Sequence, residues 1–215
     1  MSKSILISIQ PKWVEKILNG EKTIEIRKTM PKCELPCKVY VYMTKKRNFF
    51  MANRKGEEIW FGDGLRYDKT EIVKFPKCDV QYWHLLGKVV ACFMLKRIDT
   101  IEICDPDILI NGKQCKQANL QKECQVSIDD IMSYIGYGDD HDGWGRDWDK
   151  GYLWHIEDLK IYDKPKLLQE FFKPCDGCDK LGTNRCTDET SSDCRAKVIT
   201  RPPQSWCYVE ESNYD

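Results

Sequence analysis

The chain opens with apolar residues at 5, 6, 7 and 9, which read as a short strand, and Pro11 follows at a position where a helix loses nothing by lacking an N–H. Val14, Ile17 and Leu18 recur at helical spacing and give that helix one apolar stripe. Asn19 and Gly20 tolerate left-handed backbone, so the helix is predicted to end there and the chain to turn into a strand over 23–27. In Thr23-Ile24-Glu25-Ile26-Arg27 the period of two sends Ile24 and Ile26 to the core and leaves Glu25 and Arg27 together on the other side. By the same period Lys22 would join the isoleucines, so it is assigned to the turn before the strand.

Alternation marks a third strand over 38–43, and residues 88–95 are nearly all apolar, as in a strand buried on both faces. Ser127 precedes Ile128, Ile131, Met132 and Ile135 at helical spacing, with Asp130 placed to complete the cap and Val126 to staple against Ile131; this helix should end at Gly136. Residues 152–162 read as a strand pair or one long bent strand, 165–172 as a short helix, and 205–209 as a closing strand entered from Pro202 and Pro203, which cannot donate to a ladder. Residues 45–82 mix charges, glycines and aromatics without a clear period and read as an insertion. No internal repeat or low-complexity tract appears.

A length of 215 residues suits one domain with insertions, and 41% apolar with 11% aromatic content suits a folded globule. The formal net charge is zero, but residues 1–55 hold 13 Lys or Arg against 4 Asp or Glu, leaving 21 against 30 in the remainder. That asymmetry predicts one basic working face on an otherwise acidic molecule, the alternative being a merely solvated surface. Lys12, Glu15 and Lys16 interrupt any signal-like run, and no stretch of about 18 apolar residues occurs, so a cytoplasmic, membrane-free protein is expected. Twelve cysteines in such a compartment point to metal ligation and buried thiols rather than disulfides.

Cys175, Cys178, Cys186 and Cys194 follow the spacing C-x2-C-x7-C-x7-C in a loop of polar residues over about 173–200. A C-x-x-C containing Gly177 turns both thiolates toward one ion, four thiolates complete tetrahedral zinc, and a loop without a core of its own needs such a staple. The expectation is a closed, structural zinc knuckle. The rival readings are a free-thiol loop, or a site that borrows Cys37 or Cys207. Residues 139–143 resemble half of a calcium loop but place Gly138 at the first ligand position, and the motif fails. His84, His141 and His155 nominate no general base, and no serine–histidine–acid set, P-loop or dinucleotide fingerprint is present.

Three segments together resemble the ASCH family of the PUA-like superfamily, of phage and bacterial type: Ser8 to Trp13 with its helix, Gly20 to Arg27, and the late Asp158 to Tyr162 with Arg201 to Trp206. Gly20, Lys22, Glu25 and Arg27 fill every fixed position of that family's G-x-K-x-x-E-x-R signature. The resemblance spans roughly 1–44, 86–103 and 126–210. It implies an α+β fold: a small mixed PUA-like β-barrel with flanking short helices, here a single domain carrying the two insertions. It also implies a cleft lined by the signature's polar residues, in a family proposed to bind RNA.

Relatives include an amidohydrolase acting on acetylated cytidine and a reported ribonuclease, so a hydrolase using the same cleft is the alternative. Lys22 matches the amidohydrolase's reactive lysine, whereas Glu25 stands where that enzyme has a catalytic threonine. The residues themselves suit the binding reading: Arg27 offers a planar fork of donors, Lys22 a mobile charge, and Glu25 can accept from a base amino group or orient Arg27. Gln10 and Lys12 are expected to flank the cleft and Trp13 to be core. The expected partner is RNA, single-stranded nucleic acid or a modified nucleotide, with protein partners and turnover left open.

Overall fold

The computed structural model describes residues 4–45, 49–52, 58–61, 72–74, 85–104, 107–135, 150–174 and 198–211. Two curved sheets carry the architecture. The first has six strands in the order β12-β7-β3-β1-β14-β13, the second five in the order β10-β9-β8-β11-β2. Their ranges are β1 Ser4–Ile9, β2 Ile24–Arg27, β3 Cys37–Met43, β7 Val89–Leu95, β8 Ile98–Cys104, β9 Asp107–Ile110, β10 Lys113–Gln114, β11 Lys150–His155, β12 Glu157–Lys166, β13 Phe171–Phe172 and β14 Trp206–Glu211. β1 and β3 run parallel, joined by a crossover through the helix α1 (Pro11–Leu18) and β2; the other described pairings of these two sheets are antiparallel. A separate three-stranded sheet, β4 Phe49–Ala52, β5 Glu58–Phe61 and β6 Ile72–Lys74, lies in the segment that sequence reads as an insertion. The whole is an α+β, barrel-like arrangement.

The core has three parts, because both faces of each large sheet are covered. Between the sheets, Ile5, Ile7, Val39, Val41, Ala91 and Phe93 meet Val14, Ile17 and Leu18 of α1 and Trp154 of β11. On the outer face of the second sheet, Ile24, Ile26, Ile101 and Leu153 are covered by two helices, α2 (Gln117–Cys124) and α3 (Ile128–Ile135), through Leu120, Cys124, Ile128, Ile131 and Ile135. On the outer face of the first, Leu6, Tyr40 and Val209 meet Leu168, Phe171 and Ile199. Each such apolar side chain removed from water stabilises the fold by about 1.5–3 kcal/mol.

The start of the chain follows the sequence closely. Pro11 sits in the first turn of α1, Asn19 caps it, and Gly20 takes the positive φ of 74° that a glycine adopts without a Cβ penalty. Ser127 does cap α3: its Oγ accepts from the Asp130 N–H at 3.1 Å and bonds the Asp130 carboxylate at 2.7 Å. Residues 152–162 resolve into two strands in different sheets, β11 against β8 and β2, and β12 against β7, so the bend at Ile156 carries the chain from one sheet to the other.

One expectation needs correction, and four elements outside the insertion were not foreseen. The short helix expected over 165–172 is a single 3-10 turn, Leu168–Glu170, between β12 and β13. Pro165 lies inside β12, which is tolerated because β12 is an edge strand. The strands β8 to β10 and the helix α2 had no forecast at all.

Candidate functional site

β2 is where the signature residues are placed. Its alternation sends Ile24 and Ile26 to a core face, as expected, here against α2 and α3, but the opposite side faces the barrel interior, and all four β2 residues are buried. Glu25 stands opposite Trp154 of β11, and Arg27 opposite Tyr152, so these four side chains share the interior face. Lys22 precedes β2, in the turn that follows Gly20, as the period required.

The three charged side chains converge. Glu25 Oε2 lies 3.4 Å from Lys22 Nζ, and Glu25 Oε1 lies 3.0 Å from an Arg27 terminal nitrogen. Their side chains are only 2% (Lys22), 9% (Glu25) and 9% (Arg27) exposed. Lys22 also donates to the Cys124 carbonyl at 2.6 Å. That carbonyl is at the C-terminal end of α2, where helix carbonyls lack intrahelical partners and the macrodipole is negative, so an ammonium is well matched there. Burial pushes the Cys124 thiol up to about 12, with Lys22 opposing and Glu25 adding to the rise.

Arg27 reaches across to the first sheet. One terminal nitrogen donates to the Ser8 carbonyl at 2.9 Å and the other to Ser205 Oγ at 3.2 Å, while Ser8 Oγ donates to the Pro203 carbonyl at 2.7 Å. The guanidinium thereby ties β2 to the end of β1 and to the Pro203–Ser205 turn. Among the described residues, two buried side-chain nitrogens have no hydrogen-bond partner: Arg27 Nε and Trp154 Nε1. Both belong to the shared interior face. A buried donor without an acceptor costs about 1–3 kcal/mol, so a site that retains two of them next to a charge cluster is marked.

Of the other expected residues, Lys12 and Trp13 stand beside Lys22. Gln10 is the exposed N-cap residue of α1 and makes no side-chain cap bond. Lys12 is half-buried with its ammonium 4.6 Å from the Trp13 ring centroid, and Lys22 approaches the same ring at 5.5 Å. Trp13 is half-buried against the core rather than inside it. Cys175, Cys178, Cys186 and Cys194 lie outside the described residues, as do His84, His141 and the 139–143 loop. Among the described residues no group of three or more His, Cys, Asp or Glu side chains could hold a metal ion.

Ser8 and Ser205 fall inside the segments that carry the family resemblance, so their order along the chain was a usable signal. Trp154 was not singled out, because an indole in an apolar strand reads as core and its unmatched N–H is visible only once the strands are paired. No helix among the described residues is long and apolar enough to cross a membrane.

No protein-family model matches the chain, and no curated protein matches it. Among solved structures it is similar to the ASCH protein from Zymomonas mobilis, at 15% identity and a TM-score of 0.44, covering 97% of this chain and 88% of that one. Two single-substitution variants of that protein give TM-scores of 0.48 and 0.45 at 14% identity, each covering 98% of this chain and 91% and 92% of theirs. All three neighbours are ASCH proteins.

Proposed function

We propose that this chain is a PUA-like, ASCH-type module that holds RNA, single-stranded nucleic acid or a modified nucleotide at the interior face built from Lys22, Glu25, Arg27 and Trp154. The reading rests on one observation: three ionised side chains more than nine-tenths buried, beside two unpartnered donors. Two cations against one carboxylate leave the cluster one positive charge in excess. Each Glu25 oxygen meets one cation, Lys22 or Arg27, so Glu25 orients the guanidinium and keeps a second lone pair on each oxygen that could accept from a base amino group. These side chains are buried, and a ligand that reached them would meet a pair of N–H donors and a net positive charge, which suits an acceptor such as a base carbonyl, a ring nitrogen or a phosphate oxygen.

The test is a panel of RNA, DNA and modified nucleosides measured for binding and for chemical change together. Arg27→Lys keeps the charge and removes the fork, and Trp154→Phe removes one N–H while keeping an apolar ring. Each should weaken binding about tenfold or more, equivalent to ~1.4 kcal/mol. Unchanged affinity in both variants would sink the assignment.

The hydrolase reading is favoured by one contact, the 3.4 Å approach of Glu25 to Lys22, which puts a proton partner beside the amine that a reactive lysine needs. Product formed by the wild type and lost in Lys22→Ala would select it over binding alone. The proposal further includes a structural zinc held by Cys175, Cys178, Cys186 and Cys194, supported by their spacing and by the tetrahedral donor set that four thiolates supply.

A further inference from the structure

The connection from β2 to β3 carries a second piece of chemistry, independent of the ligand face. Cys33, in the loop, and Cys37, the first residue of β3, are both free thiols whose sulfurs lie 3.5 Å apart. Cys37 is 2% exposed within the barrel core, whereas Cys33 is half-buried against it, and Glu34, Leu35 and Pro36 between them are exposed. We propose that Cys33 and Cys37 form a reversible disulfide by exchange with a low-molecular-weight disulfide.

The roles follow from access. Cys33 meets solvent, so its thiolate attacks one sulfur of the external disulfide and releases the first thiol. Cys37 then attacks the Cys33 sulfur of the mixed disulfide, gives its proton to solvent and expels the second thiol. Two protein thiols are oxidised to one bond, and the external disulfide is reduced to two thiols. Bond formation needs the sulfurs at roughly 2.05 Å, a closure of roughly 1.5 Å that the exposed loop side can supply while β3 stays paired.

The Cys37 thiol is pushed up to about 12, first by burial and then by the hydrogen bond and charge of Cys33. Together with its burial, that leaves the first attack, on the external disulfide, to the more accessible Cys33. Capping Cys33 as a mixed disulfide removes the two contributions that come from Cys33. Ring closure is then helped further by proximity, since an intramolecular nucleophile in contact acts at high effective concentration.

The experiment treats the reduced full-length protein with glutathione disulfide, alkylates the remaining thiols and maps peptides by mass. The expected result is a Cys33–Cys37 cross-link, reversed by dithiothreitol. Cys37→Ala should instead accumulate a stable glutathione adduct on Cys33, while Cys33→Ser should leave Cys37 unmodified; circular dichroism confirms that each variant is folded. No cross-link in the wild type, or none trapped in Cys37→Ala, overturns the proposal. So does protection of both thiols that disappears only on zinc chelation, which would make Cys37 a metal ligand.

Discussion

Glu25 places one carboxylate oxygen on each of two cations, and that arrangement fixes what its loss does. Removing the carboxylate strands Lys22 and Arg27 in a region where their side chains are 2% and 9% exposed. Glu25→Ala is therefore expected to destabilise the protein by about 3–5 kcal/mol, with Glu25→Gln smaller because an amide oxygen still accepts one bond; urea midpoints check both. A loss under about 1 kcal/mol for the alanine variant would mean that the cluster is solvated in solution. Asp99 gives a pH-dependent counterpart. Burial pushes its carboxyl up, but hydrogen bonds from Asn111 and His155 with the charges of His155 and Arg97 outweigh that, and the net direction is below its ordinary value. A depressed folded-state value contributes stability that is full above the ordinary carboxylate range and lost as pH falls through the folded value. The stability difference between wild type and Asp99→Asn should thus shrink from about pH 5 down to about pH 2. A difference that stays constant over that interval would show that the contacts of Asp99 do not favour its charged form.

Elements were legible in proportion to the apolar stripe they carry. The helix α3 buries Ile128, Ile131 and Ile135, and the cap at Ser127 was readable from residue types alone; Ser127→Ala should cost about 1 kcal/mol. The helix α2 buries only Leu120 and Cys124, with Gln117, Asn119, Gln121 and Lys122 on its remaining surface, so its sequence shows no period. It is held from outside, by the Lys22 ammonium on its last carbonyl, a long-range bond that no local pattern encodes. The helix expected at 165–172 failed for the converse reason: Leu168 and Phe171 are buried at a spacing of three, which one 3-10 turn satisfies, while Leu167 is 50% exposed. The signature strand was legible as alternation, but its second buried face was not, because burial there depends on the first sheet closing over β2. Layers pack closely at Gly151, where an added Cβ would meet Ile135 at 3.0 Å and Ile101 at 3.1 Å. Gly151→Ala should force α3 outward and cost about 1–3 kcal/mol, and an unchanged thermal midpoint would show that the helix adjusts freely.

Residues 1–55 carry an excess of nine positive charges, and their described cations include two contrasting settings. Lys22 and Arg27 are buried and share Glu25, whereas Lys28, Lys32, Lys38 and Lys45 are exposed. These settings respond differently to salt. Exposed lysines that neutralise phosphates release counterions, each contributing about 0.7 to the slope of log affinity against log salt for a single strand. Buried contacts to a base are screened far less. An oligonucleotide should therefore show a steep slope that flattens by about 1.4 when Lys28 and Lys32 are both changed to Gln, while a mononucleoside, which has no phosphate, should show almost none. Arg27→Lys should weaken both ligands without changing the slope of the first. Equal slopes for the two ligands, or a slope altered by Arg27→Lys alone, would place the electrostatic contact at the buried cluster and remove the division of labour between surface and interior.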